Sequence, residues 1–131
     1  MHRHEPTLLW AACIWDGAMT EVKGEYLTGT VSEASFQRTV IEMARYLGWR
    51  VHHGRPGRTT AGWRTPVSGD VGFPDLVLLR GGRLIFAELK TERGRLSVGQ
   101  KAWLLALGGV EWVEVQLWRP SDMGRIELAL R

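Results

Sequence analysis

The chain has 131 residues, enough for one domain and too few for a second independent hydrophobic core. Its 44% hydrophobic and 24% charged residues are typical of a folded protein and exclude a disordered chain. The single cysteine, Cys13, excludes an internal disulfide and a cysteine-based zinc cage, and it is consistent with a reducing compartment.

The formal net charge of +3 hides an uneven distribution along the chain. Within residues 45–101, eleven Lys and Arg residues stand against four acidic residues. Such an excess is typical either of a solvated basic surface or of a segment that meets an acidic polymer such as nucleic acid. Composition alone leaves both interpretations open.

Residues 1–31 show no sustained hydrophobic period, and we interpret them as an N-terminal extension of unknown role before a domain at residues 32–131. Their apolar run, residues 8–15, is too short to cross a bilayer, so we expect no membrane partner. The run faintly resembles a signal peptide, but Asp16 follows it at once and a small-residue cleavage site is lacking. We expect an ordered appendage that packs on the domain or on a second subunit.

The first predicted element of the domain is a helix. Thr30 has capping-box spacing to Glu33, and Ser32 is a second candidate N-cap. Gly48 ends the helix. Glu33 falls on the apolar side of this helix, so it is either a capping acid favoured by the helix dipole or a carboxylate aimed at a site. The apolar residues at helical spacing are Phe36, Val40, Met43, Ala44 and Leu47.

A short strand at residues 49–53 and a long loop at residues 54–72 follow. Adjacent His52 and His53 point to opposite faces of a strand, so we expect them to be structural rather than to share a metal. A loop of this length inside a domain is either functional or mobile. Four residues of this loop are suited to binding backbone phosphates and stacking on an unpaired base: Arg55, Arg58, Trp63 and Arg64. The alternative is that these residues belong to a solvated loop.

Two β-rich runs, residues 73–80 and 83–90, flank the pair Gly81 and Gly82, which predicts a hairpin with a two-residue turn. That turn fixes the register of the strands. It places Asp75 directly opposite one residue of the second run, Glu88.

Residues 97–107 predict a second helix, opened by Ser97 and Gln100 at capping-box spacing. Residues 110–118 alternate and predict a third long strand, and residues 126–130 predict an edge strand. Strand, helix and strand in this order imply a parallel pairing, whereas the hairpin is antiparallel. We therefore predict an α/β fold with a mixed sheet flanked by helices.

The hairpin register carries the chemical prediction. Opposed residues have Cβ atoms about 4.5–5.5 Å apart, so the carboxylates of Asp75 and Glu88 repel unless a cation lies between them. Mg²⁺ prefers oxygen ligands and keeps several waters, so one or two carboxylates and a substrate phosphate are enough. Lys90 shares the face of Glu88, where it can stabilise the negative charge of a phosphoryl transition state or orient the attacking water.

Each of these residues also has a structural alternative. Asp75 can be a strand-start residue after Pro74, and Glu88 with Lys90 can form a solvated strand face. Gln100 can be simply the reciprocal member of the capping box. Beyond the second strand, a further basic group is a candidate for contact with nucleic acid: Arg93, Arg95 and Lys101.

These segments, taken in order, resemble a known nuclease signature. The sequence G-F-P-D-L at residues 72–76, followed by E-L-K at residues 88–90, is similar to the PD-(D/E)XK nuclease signature. The sequences S-E-A-S-F-Q at residues 32–37 and R-L-S-V-G-Q at residues 95–100 narrow the resemblance to the VRR-NUC branch. The resemblance covers residues 32–120, roughly two thirds of the chain.

The resemblance implies a restriction-endonuclease-like fold and cleavage of DNA with Mg²⁺, or with Mn²⁺ as a substitute. It also implies a homodimer acting on branched DNA, such as a Holliday junction or a flap, in the cytoplasm of a bacterium or a phage-infected cell. We expect no organic cofactor. The implied metal ligands and catalytic residues are Glu33, Asp75, Glu88 and the Leu89 carbonyl, with Lys90 catalytic and Gln100 lining the site.

Two other functions remain compatible with the same residues. One is a non-catalytic nucleic-acid-binding accessory on a nuclease fold. The other is an RNA-directed nuclease, because no residue pattern here reads a 2′-hydroxyl.

Overall fold

The computed structural model describes residues 31–54, 57–59, 62–64 and 68–131. Predictions about the N-terminal extension up to Thr30, and about Arg55, lie outside the described residues. The same is true of the side chains of Arg58, Trp63 and Arg64, whose backbone alone is described.

The elements follow one another in an order close to the predicted one. They are α1 (Glu33–Tyr46), β1 (Arg50–His53), β2 (Gly57–Thr59), β3 (Gly62–Arg64), β4 (Leu76–Arg80), β5 (Arg83–Leu89), α2 (Val98–Gly108), β6 (Val113–Trp118), a 3-10 turn (Pro120–Asp122) and α3 (Met123–Leu130).

The main sheet has four strands in the order β1-β4-β5-β6. Strand β4 pairs antiparallel with both β1 and β5, whereas β5 and β6 are parallel and are joined through α2. The prediction of a mixed sheet in an α/β fold is therefore confirmed. The finer nuclease fold stays a prediction.

The segment predicted as one long loop contains a small sheet, so that prediction was wrong in part. Strands β2 and β3 pair antiparallel over three residues each. Three-residue strands rich in Gly give too short a pattern for period analysis, because alternation is recognisable only over about four to eight residues.

Helix α1 begins at the second of the two predicted N-caps. Ser32 has an extended backbone, and its side chain accepts a hydrogen bond from the Ser35 amide at 3.1 Å. The helix gives way to a turn at Gly48, whose φ of +87° is a conformation that glycine adopts without strain. The second candidate N-cap, Ser32, and the end at Gly48 are thus confirmed, whereas the alternative N-cap, Thr30, was wrong.

The segment at residues 126–130 is helical, so the predicted edge strand was wrong. Its apolar residues alternate in sequence, but Ile126 and Leu130 are buried whereas Leu128 between them is 66% exposed, which is the i, i+4 pattern of a helix. Contacts from distant residues hold this helix, because Trp49 Nε1 and Arg80 Nη1 both donate to the Leu130 carbonyl, at 2.8 and 2.9 Å.

The core lies on one face of the sheet, beneath α1 and α3. The strand residues facing it are fully buried and apolar, and α1 and α3 contribute apolar residues from above. This group includes Leu76, Leu78, Ile85, Ala87, Leu89, Phe36, Val40, Met43, Ile126 and Leu130. Helix α2 covers the opposite face, where Glu88 lies.

Candidate active site

The hairpin has the predicted register from its turn to its far end. Arg80 faces Arg83 and Leu76 faces Ala87, so the ladder ends one pair short of Asp75 and Glu88. Asp75 lies just before β4, and its Oδ2 accepts a hydrogen bond from the Leu89 amide at 2.8 Å. This bond holds the Asp75 carboxylate beside the Glu88 side chain.

Glu88 is the buried acid of the site. It is 1% exposed, and it is the one charged side chain that is buried among the described residues. Its Oε1 accepts a hydrogen bond from Gln100 Nε2 at 2.7 Å, and Lys90 Nζ lies 3.8 Å from the same oxygen. Its Oε2 is buried and has no hydrogen-bond partner within the described part of the chain. A buried acceptor without a partner destabilises a fold by about 1–3 kcal/mol.

Burial in the first place, and the neighbouring Asp75 carboxylate in the second, raise the pKa of Glu88 to about 8 against an opposing effect of Lys90. Two acids held together away from water do not both ionise easily. A divalent cation held by these carboxylates would favour the charged form of Glu88. The same cation would supply the missing partner of Oε2.

Lys90 directly follows β5 and its side chain is 14% exposed. The Lys90 amide donates to the Trp118 carbonyl at 3.0 Å, which extends the pairing of β5 with β6. The turn after Lys90 is held by Arg119, whose Nη1 donates to the carbonyls of Thr91 and Gly94 at 2.6 and 2.8 Å. Both ends of the lysine backbone are thereby fixed. Sequence reasoning did not identify Arg119, because an isolated arginine after a strand has no local pattern.

The side chain of Gln100 both completes the capping box of α2 and lines the candidate site. Its Oε1 accepts from the Ser97 amide at 2.8 Å, and the Ser97 hydroxyl accepts from the Gln100 amide at 3.1 Å, which completes the predicted capping box. Because the side-chain oxygen of Gln100 is bonded within the cap, the Nε2 of the same side chain is directed at Glu88. The cap of α2 therefore orients a hydrogen-bond donor to the buried acid.

Two glycines set the distance between α2 and the segment that carries Asp75. A Cβ on Gly72 would lie 2.3 Å from the Gly99 carbonyl carbon, and a Cβ on Gly99 would lie 2.6 Å from the Val71 carbonyl oxygen. Neither position can hold a side chain without moving one backbone from the other. Sequence reasoning missed Gly99, although a glycine in the first turn of a helix is a weak signal of close backbone approach.

An aromatic cluster covers the site on the α2 side. The Phe73 ring contacts the rings of Phe86 and Trp103 edge to face, with centroids 5.8 and 5.1 Å away. Trp103 Nε1 also donates to the Asp70 carbonyl at 3.2 Å. These contacts join β5, α2 and the segment before β4.

Glu33 lies at the edge of the same site, in the first turn of α1. Partial burial raises the pKa of Glu33. The charge of Lys90 opposes this shift and the charge of Asp75 adds to it, so Glu33 lies within electrostatic reach of both residues. Glu33 as a whole residue is exposed, and its Oε1 accepts from Gln37 Nε2 at 3.4 Å. Within the residues that the structure describes, no three His, Cys, Asp or Glu side chains are grouped so as to hold a metal ion. Ligation by Glu33 and by the Leu89 carbonyl stays a prediction.

The predicted basic contacts lie close to this site in the chain. Arg93, Arg95 and Lys101 occupy the turn after β5 and the first turn of α2, and all three are exposed. In the described residues none of them forms an ion pair. Their charge is therefore available to an external anion.

Comparison with known proteins leaves the family of this chain open. No family model matches it, and no curated protein matches it either. Among the helices of the described residues, none has the length and apolar character needed to cross a membrane.

Proposed function

We propose that this protein is a metal-dependent nuclease that hydrolyses phosphodiester bonds of DNA. The observation that carries the proposal is the buried Glu88 Oε2, which has no hydrogen-bond partner among the described residues, beside Asp75 and close to Lys90. A structural acid in a core would have both oxygens satisfied. An acid that binds a cation needs an oxygen kept free of other partners.

The donor set fits Mg²⁺ or Mn²⁺, because Asp75 and Glu88 provide hard carboxylate oxygens and a phosphate with waters can complete the shell. When bound, such an ion polarises the phosphate and lowers the pKa of a coordinated water. Among the residues of the protein, Gln100 holds Glu88 in place by a hydrogen bond. The positive charge of Lys90 stabilises the negative charge that develops on the phosphate. Glu33 can add a carboxylate at the open edge of the site.

The exposed basic residues beside the site support nucleic acid as the substrate. Arg93, Arg95 and Lys101 can contact backbone phosphates, which position a strand without reading its bases. A preference for branched DNA, action as a homodimer and a cytoplasmic location belong to the same proposal. Their support is the resemblance described above.

A cleavage assay on labelled duplex, single-stranded, flap and four-way-junction DNA, with an RNA strand in parallel, tests the proposal. The full chain should cut one or more DNA forms with Mg²⁺ or Mn²⁺ and none with EDTA. Glu88→Gln should lower the rate about 100-fold or more, because it removes a charged ligand. Glu111→Gln is the matched control, since Glu111 is exposed and precedes β6 at the end that pairs with Leu84 rather than with Glu88.

The outcomes separate the competing functions. DNA binding without cleavage of any form would favour the non-catalytic accessory. Metal-dependent cleavage of RNA alone would favour the RNA-directed nuclease. Cleavage by Glu88→Gln at the unaltered rate would remove this site from the reaction.

A further inference from the structure

Helix α2 is apolar on nearly all sides and yet is covered on only one. Its eleven residues contain two polar side chains, those of Gln100 and Lys101. A helix that is apolar all round is normally covered all round. The described residues include the whole of α2, and none of its residues is buried.

Val98, Ala102 and Leu105 are exposed at helical spacing along one side of α2, which we call the outer face of α2. Val98 is 86% exposed, Leu105 is 79% exposed, and Trp112 just beyond the helix is 83% exposed. Ala102 lies between Val98 and Leu105 at helical spacing and is also exposed. Its small side chain lets another segment approach the helix axis closely. Exposed apolar patches of this kind mark contact surfaces.

We propose that the outer face of α2 is the docking site of the chain's own apolar run, residues 8–15. Thirty residues of the chain precede Val31, where the described structure begins. The run itself is eight apolar residues, Leu-Leu-Trp-Ala-Ala-Cys-Ile-Trp. Fifteen residues, 16–30, join it to Val31 and can span up to about 50 Å, whereas a helix of the length of α2 spans about 16 Å. Glu33, two residues after Val31, interacts with the charges of Asp75 and Lys90, and Lys90 lies beside Glu88, which is bonded to Gln100 of α2. The start of the described chain is therefore near the N-terminal end of α2, within the span of the linker.

Charge favours this occupant. Residues 1–30 contain four acidic and two basic residues, a balance of −2, whereas residues 31–131 contain fifteen basic and ten acidic residues, a balance of +5. The negative charge of the segment that carries the run and the positive charge of the rest of the chain attract each other.

Connectivity favours the same chain over a second copy. A segment tethered by a short linker is present at an effective concentration near the millimolar range and gives up little translational freedom on docking. A second copy must overcome the full loss of that freedom.

Cross-linking of Cys13, the single cysteine, to a cysteine placed on the outer face tests this inference in the full chain. A flexible bis-maleimide should join Cys13 to the new thiol of Ala102→Cys within one chain, with a yield several-fold above that of Leu128→Cys. Leu128 is the matched control, because it is 66% exposed on α3, across the sheet from α2. Circular dichroism verifies that both variants fold.

Three outcomes would overturn the inference. A yield for Ala102→Cys no higher than that for Leu128→Cys means that the run lies elsewhere. A covalent dimer that persists in Cys13→Ser with Ala102→Cys means that a second copy covers the outer face. A link between Cys13 of one chain and the new thiol of another assigns the run to a neighbouring copy.

A second pair of changes tests the apolar nature of the contact. Leu9→Asp with Ile14→Asp, introduced into Ala102→Cys, should reduce the cross-link to the level of the Leu128→Cys control. An unchanged yield would show that apolar docking does not hold the run. No residue of the proposed active site is altered, so the result stands apart from nuclease activity.

Discussion

The two faces of the sheet are packed in different ways. On the face covered by α1 and α3, strand residues such as Leu78 and Ile85 are fully buried among other apolar residues. On the face covered by α2, the fully buried strand residue is the acid Glu88, while Leu79 is 46% exposed. One layer of the protein supplies stability and the other layer holds the candidate chemistry.

Strand β5 belongs to both layers. Its Ala87 and Leu89 side chains point into the core, and the Glu88 side chain between them points to α2. Because side chains alternate along a strand, the packing of Ala87 and Leu89 fixes the backbone that aims Glu88. A site carried by a rigid strand keeps its geometry better than a site carried by a loop.

The largest expected contrast between the faces is in stability. Leu78 and Leu79 are neighbours on β4, the first buried in the core and the second 46% exposed on the other face. Leu78→Ala should lower the free energy of unfolding by about 2–5 kcal/mol, because it leaves a cavity. Leu79→Ala should lower it by about 1 kcal/mol or less. Urea denaturation of both variants measures the difference, and equal effects would contradict the two-layer description.

The second contrast concerns the close approach of α2 to the segment before β4. Gly99→Ala places a Cβ 2.6 Å from the Val71 carbonyl oxygen, so one backbone must move and carry Gln100 or Asp75 with it. We expect about a 100-fold loss of cleavage, the size of effect that a displacement of about 1 Å can produce.

Gly108→Ala is the control for that change, because its Cβ meets no atom within 4 Å in the same helix. It should leave cleavage at the rate of the unaltered protein. Equal rates for both variants would show that the contact between Gly72 and Gly99 does not position the site.

The third prediction is that metal stabilises the α2 face through Glu88. Mg²⁺ or Mn²⁺ at ten times its dissociation constant should add about 1.4 kcal/mol to the free energy of unfolding, because it binds the folded form alone. Thermal unfolding of the full chain with metal and with EDTA measures this gain. Glu88→Gln should abolish most of it.

Glu114→Gln is the control for the metal effect. It breaks the ion pair with Arg83, 2.7 Å long, and leaves the carboxylates near α2 in place. The increment from the metal should persist in this variant. Loss of the increment in Glu114→Gln but not in Glu88→Gln would place the cation elsewhere.

The smallest expected effect is that of Arg119, which acts through the backbone of the turn after Lys90. Arg119→Met removes the donor to the Thr91 and Gly94 carbonyls, which frees the turn. Cleavage should fall several-fold while KM for DNA changes less than kcat, because Lys90 is displaced from the reacting phosphate.

Arg125→Met is the comparison for that change, since Arg125 is 67% exposed and pairs with Asp122 at the surface. An exposed pair of this kind contributes about 0–1 kcal/mol, and its loss leaves the bond from the Arg119 amide to Asp122 in place. Arg125→Met should therefore keep both kinetic constants. A rise in KM alone for Arg119→Met would indicate a role in DNA binding instead.

Much of the local structure was predictable because its causes are local. The two glycines at positions 81 and 82 dictate a tight turn, and that turn determines the register from Arg80 to Leu76. The spacing of Ser97 and Gln100 predicted the capping box that opens α2. These features depend on residues a few positions apart, whose geometry is set by the backbone itself.

The sequence by itself determined the mixed sheet, the caps of α1 and α2, and the proximity of Asp75 to Glu88. Only the tertiary structure decided that residues 126–130 form a helix, because the bonds from Trp49 and Arg80 to the Leu130 carbonyl come from distant parts of the chain. Only the tertiary structure shows that Gln100 reaches Glu88 and that no hydrogen-bond partner of Glu88 Oε2 lies in the described part of the chain. Short-range patterns specify turns and faces, whereas burial and hydrogen-bond satisfaction depend on which distant segments pack together.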